Sequence, residues 1–180
     1  MGAGTFQPVK AETMDGHDMH AEFIEVSRSF MQQLIHHQQQ LYAVGTTSLR
    51  TLESIYWLGV KAIEGKLNLQ DGIKQWEVYD ELPQHHSREM SLKALLSWMD
   101  EQHIDKIVTR TQILIAPGYK VRMINGLITN FHQPSSTLLL LVAALIGSDW
   151  KHVYEEAIQR KFRFLSYGDG MLIRIQQASV

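Results

Sequence analysis

The sequence predicts an α/β protein, a class in which strands and helices alternate along the chain. Short runs rich in β-branched and apolar residues, such as 41–44 and 107–115, are typical of buried strands. The longer segment 49–64 carries apolar residues at helical spacing. Because strand-like and helix-like segments alternate throughout, we expect a single α/β domain over 1–180.

The stretch 127–147 shows this alternation most clearly, since it reads as strand, loop and helix. Pro134 lacks a backbone N–H and disfavours helical geometry in the residue before it, so the strand ends ahead of it. Ser135 or Ser136 is suited to cap the following helix, because a hydroxyl accepts hydrogen bonds from the first turn. Gly147 is suited to end that helix. Polar side chains therefore gather where a strand ends and a helix begins, the usual place for a ligand in an open α/β sheet.

The other elements are predicted from the same signals. Phe23, Ile24 and Val26 favour a strand, and Ser27 follows as the cap of a helix. Near the end of the chain, 162–173 reads as a strand, a tight turn and a second strand. In chain order we expect a strand at 17–26, a helix at 28–39, a strand at 41–44, a helix at 49–64, strands at 107–115 and 120–124, and a helix at 149–160.

The segment 66–106 differs from the rest because it is polar and contains turn signals such as Asp71-Gly72. Within it, 76–79 reads as a short strand, and Ser87 is placed to cap a helix that continues to residue 102. We therefore interpret about 66–106 as a peripheral insertion in the domain.

Composition places the chain among ordinary globular proteins. Of its 180 residues, 44% are hydrophobic and 20% are charged, with a formal net charge of −2. This balance gives no bulk attraction for nucleic acid or acidic membranes. The absence of cysteine excludes disulfides, thiolate metal sites and cysteine nucleophiles. The amino terminus lacks a signal-peptide layout, and the apolar run 138–146 is too short to span a bilayer, so we expect a soluble, cytoplasmic protein.

His20 and Glu22 are the first candidates for chemistry. Two residues apart on a strand, they point to the same face and are suited to act as a general acid and base. Together with His17 they are also within reach of a metal ion. Their spacing matches no known zinc pattern, however, and we predict no metal site.

A turn between a predicted strand and a predicted helix is the second candidate. Backbone N–H groups and the hydroxyls of Thr46, Thr47 and Ser48 meet there, and anions bind at such helix starts. Plain capping of the helix is the more frequent use of such residues. Arg50 stands three residues before Glu53 on the same helix, a spacing typical of a surface ion pair.

Three polar residues and one basic residue in the last third of the chain complete the candidates. Asn130 and His132 stand at a predicted strand end, where an amide and an imidazole are suited to bind a ligand. A lone histidine in such a place is more often structural. Asp169 stands in a tight turn and is equally suited to be an ordinary turn former. Arg163 lies among alternating basic and aromatic residues, a weak signal of nucleic-acid binding.

Taken in order, the motifs of the chain carry a resemblance. They read GAGTFQPV, HDMHAE, AVGTTSLRTLES, IAPGY, LITNFHQPSSTLLLLV and RFLSYGDGMLI. In that order they resemble the S-adenosylmethionine:tRNA ribosyltransferase-isomerase family of queuosine biosynthesis, over nearly the whole chain except about 66–106. The chain looks like the carboxy-terminal portion of such an enzyme. The resemblance implies a truncated three-layer α/β/α-type sheet domain, without the family's small inserted β-barrel domain.

The resemblance also implies a reaction. Family members transfer and isomerise the ribosyl group of S-adenosylmethionine, their cosubstrate, onto 7-aminomethyl-7-deazaguanine at the wobble position of certain tRNAs. The product is epoxyqueuosine, and adenine and methionine leave. The implied partners are S-adenosylmethionine and tRNA carrying 7-aminomethyl-7-deazaguanine, with no metal and no membrane. We expect a full-length enzyme to be a monomer, whereas the open sheet edge of a truncated chain favours self-association.

Mapped onto this chain, the resemblance implies candidate roles, while the individual catalytic roles and the groups that hold adenine stay open. The candidate proton carriers are His20, Glu22, His132 and Asp169. The candidates for holding S-adenosylmethionine are Thr46, Thr47, Ser48, Arg50, Asn130 and Tyr167. Arg163 is the candidate for contact with nucleic acid.

The chain departs from the family pattern at three places, since the family usually has leucine at Gln133, alanine at Gly170 and an aspartate near Asn125. We expect the chain to be inactive alone, because the implied site draws on both halves of the enzyme. The alternative is a non-catalytic α/β binding module that keeps the family core. The near-neutral charge favours this alternative, because tRNA binding requires a basic face.

Overall fold

A computed structural model describes residues 19–37 and 39–175, and it confirms the predicted α/β class. The opening GAGTFQPV motif and His17 lie outside the described residues. In chain order the elements are β1 (Glu22–Ser27), α1 (Arg28–His36), β2 (Tyr42–Val44), α2 (Thr46–Ile63), α3 (Glu77–Asp80), α4 (Arg88–Glu101), β3 (Lys106–Thr111), β4 (Gly126–Asn130), α5 (Thr137–Ile146), a 3₁₀ turn (Gly147–Asp149), α6 (Trp150–Gln159) and β5 (Gly170–Arg174).

The described residues divide into two compact units. The first unit comprises 40–49 and 114–175, and the second comprises 19–37, 39 and 50–113. Helix α2 begins in the first unit and continues in the second. The interpretation of about 66–106 as a peripheral insertion in one domain stays a prediction.

The first unit is built on a three-stranded sheet in the order β2-β4-β5. Strand β2 runs parallel to β4, with Val44 opposite Ile128, whereas β5 runs antiparallel to β4. Ala43, Leu127 and Ile173 lie in register across the sheet, and all three are buried on the same face. Because β2 and β4 are parallel, their carboxyl ends meet at the same edge of the sheet.

Helix α5 follows β4 as the composition of 127–147 predicts. The Ser136 hydroxyl accepts a hydrogen bond from the Leu139 N–H at 3.2 Å and caps the helix. Gly147 ends the helix with φ of 60°, a left-handed conformation that favours glycine. The predicted order of strand, loop and helix is therefore confirmed.

The second unit contains an antiparallel pair of strands, β1 and β3, whose Ile24, Val26 and Ile107 side chains are buried. Helix α2 is buried continuously over 52–61, so it is a core helix and not an amphipathic surface helix. Ser87 caps α4 as predicted, since its hydroxyl accepts from the Met90 N–H at 3.2 Å.

Two of the strands predicted in the middle of the chain are wrong. The segment 76–79 overlaps α3, a single helical turn in which the Glu81 N–H donates to the Glu77 carbonyl at 3.1 Å. The segment 120–124 pairs with no strand among residues 19–37 and 39–175. Alternating side chains alone did not make a strand there, because no neighbouring strand supplies hydrogen-bond partners.

The first of the two strands predicted within 162–173 is also wrong, whereas the second is β5. Lys161 and Leu165 have φ of 59° and 70°, which interrupts extended geometry on both sides of Phe162. Phe162 and Phe164 pack their rings on Phe131, with centroid distances of 5.7 and 5.3 Å. Ring packing has replaced strand pairing in this segment.

Within the described part of the chain, no helix is long and apolar enough to cross a membrane.

Candidate functional site

The first unit contains a cavity of about 380 Å³ at the shared carboxyl edge of β2 and β4. Three segments form its wall: the turn from β2 into α2, the end of β4 with the start of α5, and a turn ahead of β5. The lining residues are Val44, Gly45, Thr46, Thr47, Ser48, Thr129, Asn130, His132, Leu138, Leu165 and Ser166.

The turn from β2 into α2 is held by the backbone of Gly45. Its N–H donates to the Ile128 carbonyl of β4 at 2.8 Å, and its carbonyl accepts from the Leu49 N–H at 3.3 Å. Gly45 has φ of 86°, and a Cβ at this position would meet no atom within 4 Å. The backbone N–H groups in the first turn of a helix have no carbonyl acceptor within that helix. Their partial positive charge makes this wall of the cavity favourable for an anion.

His132 is buried at the cavity wall, and hydrogen bonds fix it from two sides. A hydrogen bond of 2.9 Å joins its Nε2 to the Thr129 hydroxyl, and its backbone N–H donates to the Tyr154 hydroxyl at 3.0 Å. Burial lowers the pKa of His132 from 6.5 to about 4, so the imidazole is neutral near pH 7. A neutral imidazole carries one donor and one acceptor nitrogen, so His132 is able to take up a proton.

Asn130 ties the end of β4 to the turn before β5. Its Nδ2 donates to the carbonyl oxygens of Gly168 and Asp169, both at 3.3 Å. The side chain of Asn130 thus has a structural use in addition to lining the cavity. It holds the neighbouring turn against the strand end.

The turn at 163–169 is closed by a second set of contacts. The Arg163 backbone N–H donates to Asp169 Oδ2 at 2.7 Å, and the Arg163 guanidinium donates to Oδ1 at 3.2 Å. The hydrogen bond from the Arg163 backbone N–H lowers the pKa of the Asp169 carboxyl most, and the hydrogen bond from the Arg163 guanidinium lowers it further. A Cβ on Gly168 would lie 2.3 Å from the Arg163 carbonyl oxygen, so only glycine fits. Within this turn Tyr167 is 98% exposed.

The remaining predicted residues belong to the second unit. Glu22 forms an ion pair with Arg50 at 2.6 Å, and Arg50 Nε donates to the Ile113 carbonyl at 3.1 Å. Burial lowers the pKa of Arg50, against the opposing effect of Glu22. Arg50 and Glu53 are both buried, so the expected surface ion pair between them is wrong. His20 is exposed beside the start of β1.

The structure therefore brings five of the predicted residues to one cavity: Thr46, Thr47, Ser48, Asn130 and His132. Asp169, Tyr167 and Arg163 lie together in the 163–169 turn of the same unit. The catalytic and binding roles of these residues, and those of His20, Glu22 and Arg50, stay predictions. In the described ranges, no group of three or more histidine and carboxylate side chains is placed to hold a metal ion.

Sequence reasoning missed several lining residues. Thr129 belongs to the sequence Thr129-Asn130-Phe131-His132, in which it stands three residues before His132. That spacing is the signal that could have identified it as a neighbour of His132. Leu165 and Ser166 reach the cavity because the Leu165 N–H donates to the Phe131 carbonyl at 2.9 Å. No local pattern indicates that contact, since it joins segments that are distant in the sequence.

Comparison with known proteins adds independent findings. A family described as queuosine biosynthesis protein matches residues 1–173. The chain is 37% identical over 177 residues to an S-adenosylmethionine:tRNA ribosyltransferase-isomerase of Halothermothrix orenii, covering 96% of the chain and 40% of that relative. It is also similar to the crystal structure of an S-adenosylmethionine tRNA ribosyltransferase from Thermotoga maritima, with 30% identity and a TM-score of 0.54 over 84% of the chain. The chain spans 40% of the length of each of these two proteins.

Proposed function

The chain belongs to the family of queuosine biosynthesis proteins, and from this premise we propose that it forms part of an S-adenosylmethionine:tRNA ribosyltransferase-isomerase. In the proposed reaction the ribosyl group of S-adenosylmethionine is transferred to 7-aminomethyl-7-deazaguanine at the tRNA wobble position and isomerised. The product is epoxyqueuosine, and adenine and methionine are released. The proposed partners are therefore S-adenosylmethionine and tRNA.

The observation that carries the proposal is the cavity at the shared carboxyl edge of β2 and β4. This edge is where open α/β sheets bind their ligands. The hydroxyls and N–H groups at the start of α2 suit a carboxylate or a phosphate, and S-adenosylmethionine supplies a carboxylate. Thr46, Thr47 and Ser48 are proposed to hold that group.

The chemistry also requires a group that accepts a proton. The sulfonium of S-adenosylmethionine acidifies the neighbouring C5′ protons, so a base that removes one of them starts an elimination that expels adenine. His132 suits this step because it is neutral near pH 7 and lines the cavity. A pKa of about 4 makes the neutral imidazole a weak base but the protonated imidazole a strong acid, which is suited to pass the proton on to the departing adenine. His20, Glu22 and Asp169 remain candidates for the other proton transfers.

The test is adenine release in a full-length family protein in which this chain replaces the corresponding stretch. The assay contains S-adenosylmethionine and tRNA carrying 7-aminomethyl-7-deazaguanine. We expect turnover by the chimaera, and a fall in kcat of about a hundredfold or more for His132→Gln, the scale of general acid–base catalysis. His152→Gln is the matched control, because His152 is exposed on α6 of the same unit.

Each outcome of that assay separates two explanations. Near-normal turnover by the His132→Gln variant contradicts a proton-transfer role for His132. No turnover by a chimaera that folds, as judged by circular dichroism, favours the non-catalytic binding module, to which the net charge of −2 also points. We further propose that the isolated 180-residue chain is inactive, since it spans 40% of its curated relative. Adenine release by the isolated chain would refute that.

A further inference from the structure

Tyr167 is the most exposed of the large hydrophobic side chains in the described part of the chain, at 98%. Leu165 and Ser166, the two residues before it, line the cavity. A nearly fully exposed aromatic ring therefore follows directly, in the sequence, two residues that line the cavity.

The turn that presents this ring is held in one conformation. The Gly168 N–H donates to the Leu165 carbonyl at 2.8 Å, and the Asp169 N–H donates to the Arg163 carbonyl at 2.8 Å. The Leu165 N–H is bound to the carbonyl of Phe131, a residue that is itself buried among aromatic rings. Because the backbone of the turn is already ordered, a ligand that binds the ring restricts only the side chain, which has two χ angles.

The charges around the ring favour an anionic partner. Arg160, Lys161 and Arg163 are all exposed, and they precede Tyr167 by seven residues or fewer. Arg160 is paired with Glu156 and Arg163 with Asp169, and the segment 160–169 itself contains three cations and one carboxylate. Positive charge beside a free aromatic face is the combination that binds single-stranded nucleic acid, because phosphates meet the cations while a base stacks on the ring.

We propose that Tyr167 is a base-stacking residue, which holds an unpaired RNA base at the mouth of the cavity. This inference rests on the proposed function, in which the RNA is a tRNA whose wobble base lies in the unpaired anticodon loop. It differs from the role that the sequence resemblance implies, because Tyr167 then contacts the RNA and not S-adenosylmethionine. A protein partner is the competing occupant, and a sheet or helix face with continuous apolar surface would suit it better than one ring flanked by cations.

The experiment measures binding of a fluorescently labelled anticodon stem–loop RNA to the 180-residue chain by anisotropy. Two RNAs are compared, one with guanine at the wobble position and one that is abasic there. We expect Tyr167→Ala to weaken binding of the first RNA about tenfold, and Tyr167→Phe to leave it unchanged, because stacking requires the ring and not the hydroxyl. For the abasic RNA, Tyr167→Ala should change binding little. Phe23→Ala is the matched control, since Phe23 is also strongly exposed but belongs to the second unit.

The outcomes are distinct. If the chain binds the stem–loop and Tyr167→Ala binds equally well, the stacking role is overturned while the proposed function stands. If Tyr167→Ala weakens both RNAs equally, the ring does not stack on the wobble base and the proposal is wrong. If the unaltered chain binds neither RNA, both the stacking role and this chain's share in tRNA binding are contradicted. Adenine release by the chimaera still reports separately on the enzymatic function.

Discussion

In the first unit, Thr129, His132 and the hydroxyls at the start of α2 border an open cavity, whereas in the second unit Lys61 and Glu77 meet inside the core. Lys61 Nζ lies 2.8 Å from Glu77 Oε1 and donates to the Gly72 carbonyl at 2.7 Å. The same carboxylate oxygen accepts from the Lys74 N–H at 2.7 Å. In these two places, polar side chains line a cavity in the first unit and pair inside the core in the second.

This difference separates polar side chains that face a cavity from polar side chains that are paired with each other. By residue type Glu22 is as suited to proton transfer as His132, but its carboxylate is joined to the Arg50 guanidinium at 2.6 Å. A buried ion pair retains its charges because each neutralises the other. His132 has no charged partner in its hydrogen bonds and lines open space, so its capacity to exchange a proton is retained. Residue type alone does not separate these two cases.

The largest predicted effect comes from breaking the internal pair of the second unit. Glu77→Ala leaves the Lys61 ammonium buried without its carboxylate, so we expect the free energy of unfolding to fall by about 3 to 5 kcal/mol. Urea denaturation followed by circular dichroism measures the loss. Glu25→Ala is the control, because its ion pair with Lys106 is exposed and should be worth less than about 1 kcal/mol. Equal losses for the two variants would contradict the comparison.

The second prediction concerns pH and the first unit. Unfolded His132 takes up a proton near pH 6.5, but in the folded chain it does so only near pH 4. Between these values the unfolded state binds more protons, so the contribution of His132 to stability falls as the pH drops from about 7 to 4. The full loss is at most about 3 kcal/mol.

Urea denaturation at a series of pH values, for the unaltered chain and for His132→Gln, isolates this contribution. The difference in stability between the two proteins should shrink on acidification, because glutamine does not titrate. A difference that stays constant from pH 7 to pH 4 would mean that His132 titrates alike in both states.

The third prediction tests the hydroxyl that fixes His132. Thr129→Val preserves the shape of the side chain but removes the hydrogen-bond partner of Nε2. A buried polar atom left without a partner costs about 1 to 3 kcal/mol, and we expect a loss of about 2 kcal/mol. Thr129→Ser retains the hydroxyl and should restore most of that stability. If serine is no better than valine, the hydrogen bond is not what stabilises this position.

The smallest predicted effect separates strain from function at two glycines. Gly45 and Gly65 have φ of 86° and 66°, and a Cβ on either would meet no atom within 4 Å. Alanine at each should therefore cost about 1 kcal/mol through backbone strain alone. Only Gly45→Ala places a methyl group on a residue that lines the cavity, so only this variant should also slow adenine release in the chimaera. If Gly65→Ala also slows adenine release, the slower release by Gly45→Ala is explained by lost stability and not by the cavity.

The parts of the fold that could be predicted from sequence are those set by neighbours along the chain. Ser136 and Gly147 set locally where α5 starts and ends, and β4 ends at Asn130, ahead of Pro134 as expected. The strand predicted after Lys161 failed because Phe162 and Phe164 pack on Phe131, a contact that a local pattern does not indicate.

The candidate site likewise has some residues that the sequence indicated and others that it did not. The start of α2 and the end of β4 were visible as polar sequences next to apolar runs. Leu165 and Ser166 were not, because they reach the cavity only after the chain has folded back on β4. Likewise the spacing of Arg50 and Glu53 indicated an exposed pair, but the partner of Arg50 is Glu22, which is far away in the sequence.

The position of β4 between β2 and β5 has a consequence for the order in which a ribosome produces this molecule. Synthesis runs from the amino terminus, so the residues of the second unit, up to 113, are made before β4 and β5 exist. β2 must therefore wait for its only sheet neighbour in the described chain, and the turn beside the cavity is made later still. All residues of the second unit are therefore made before the segments that complete the cavity.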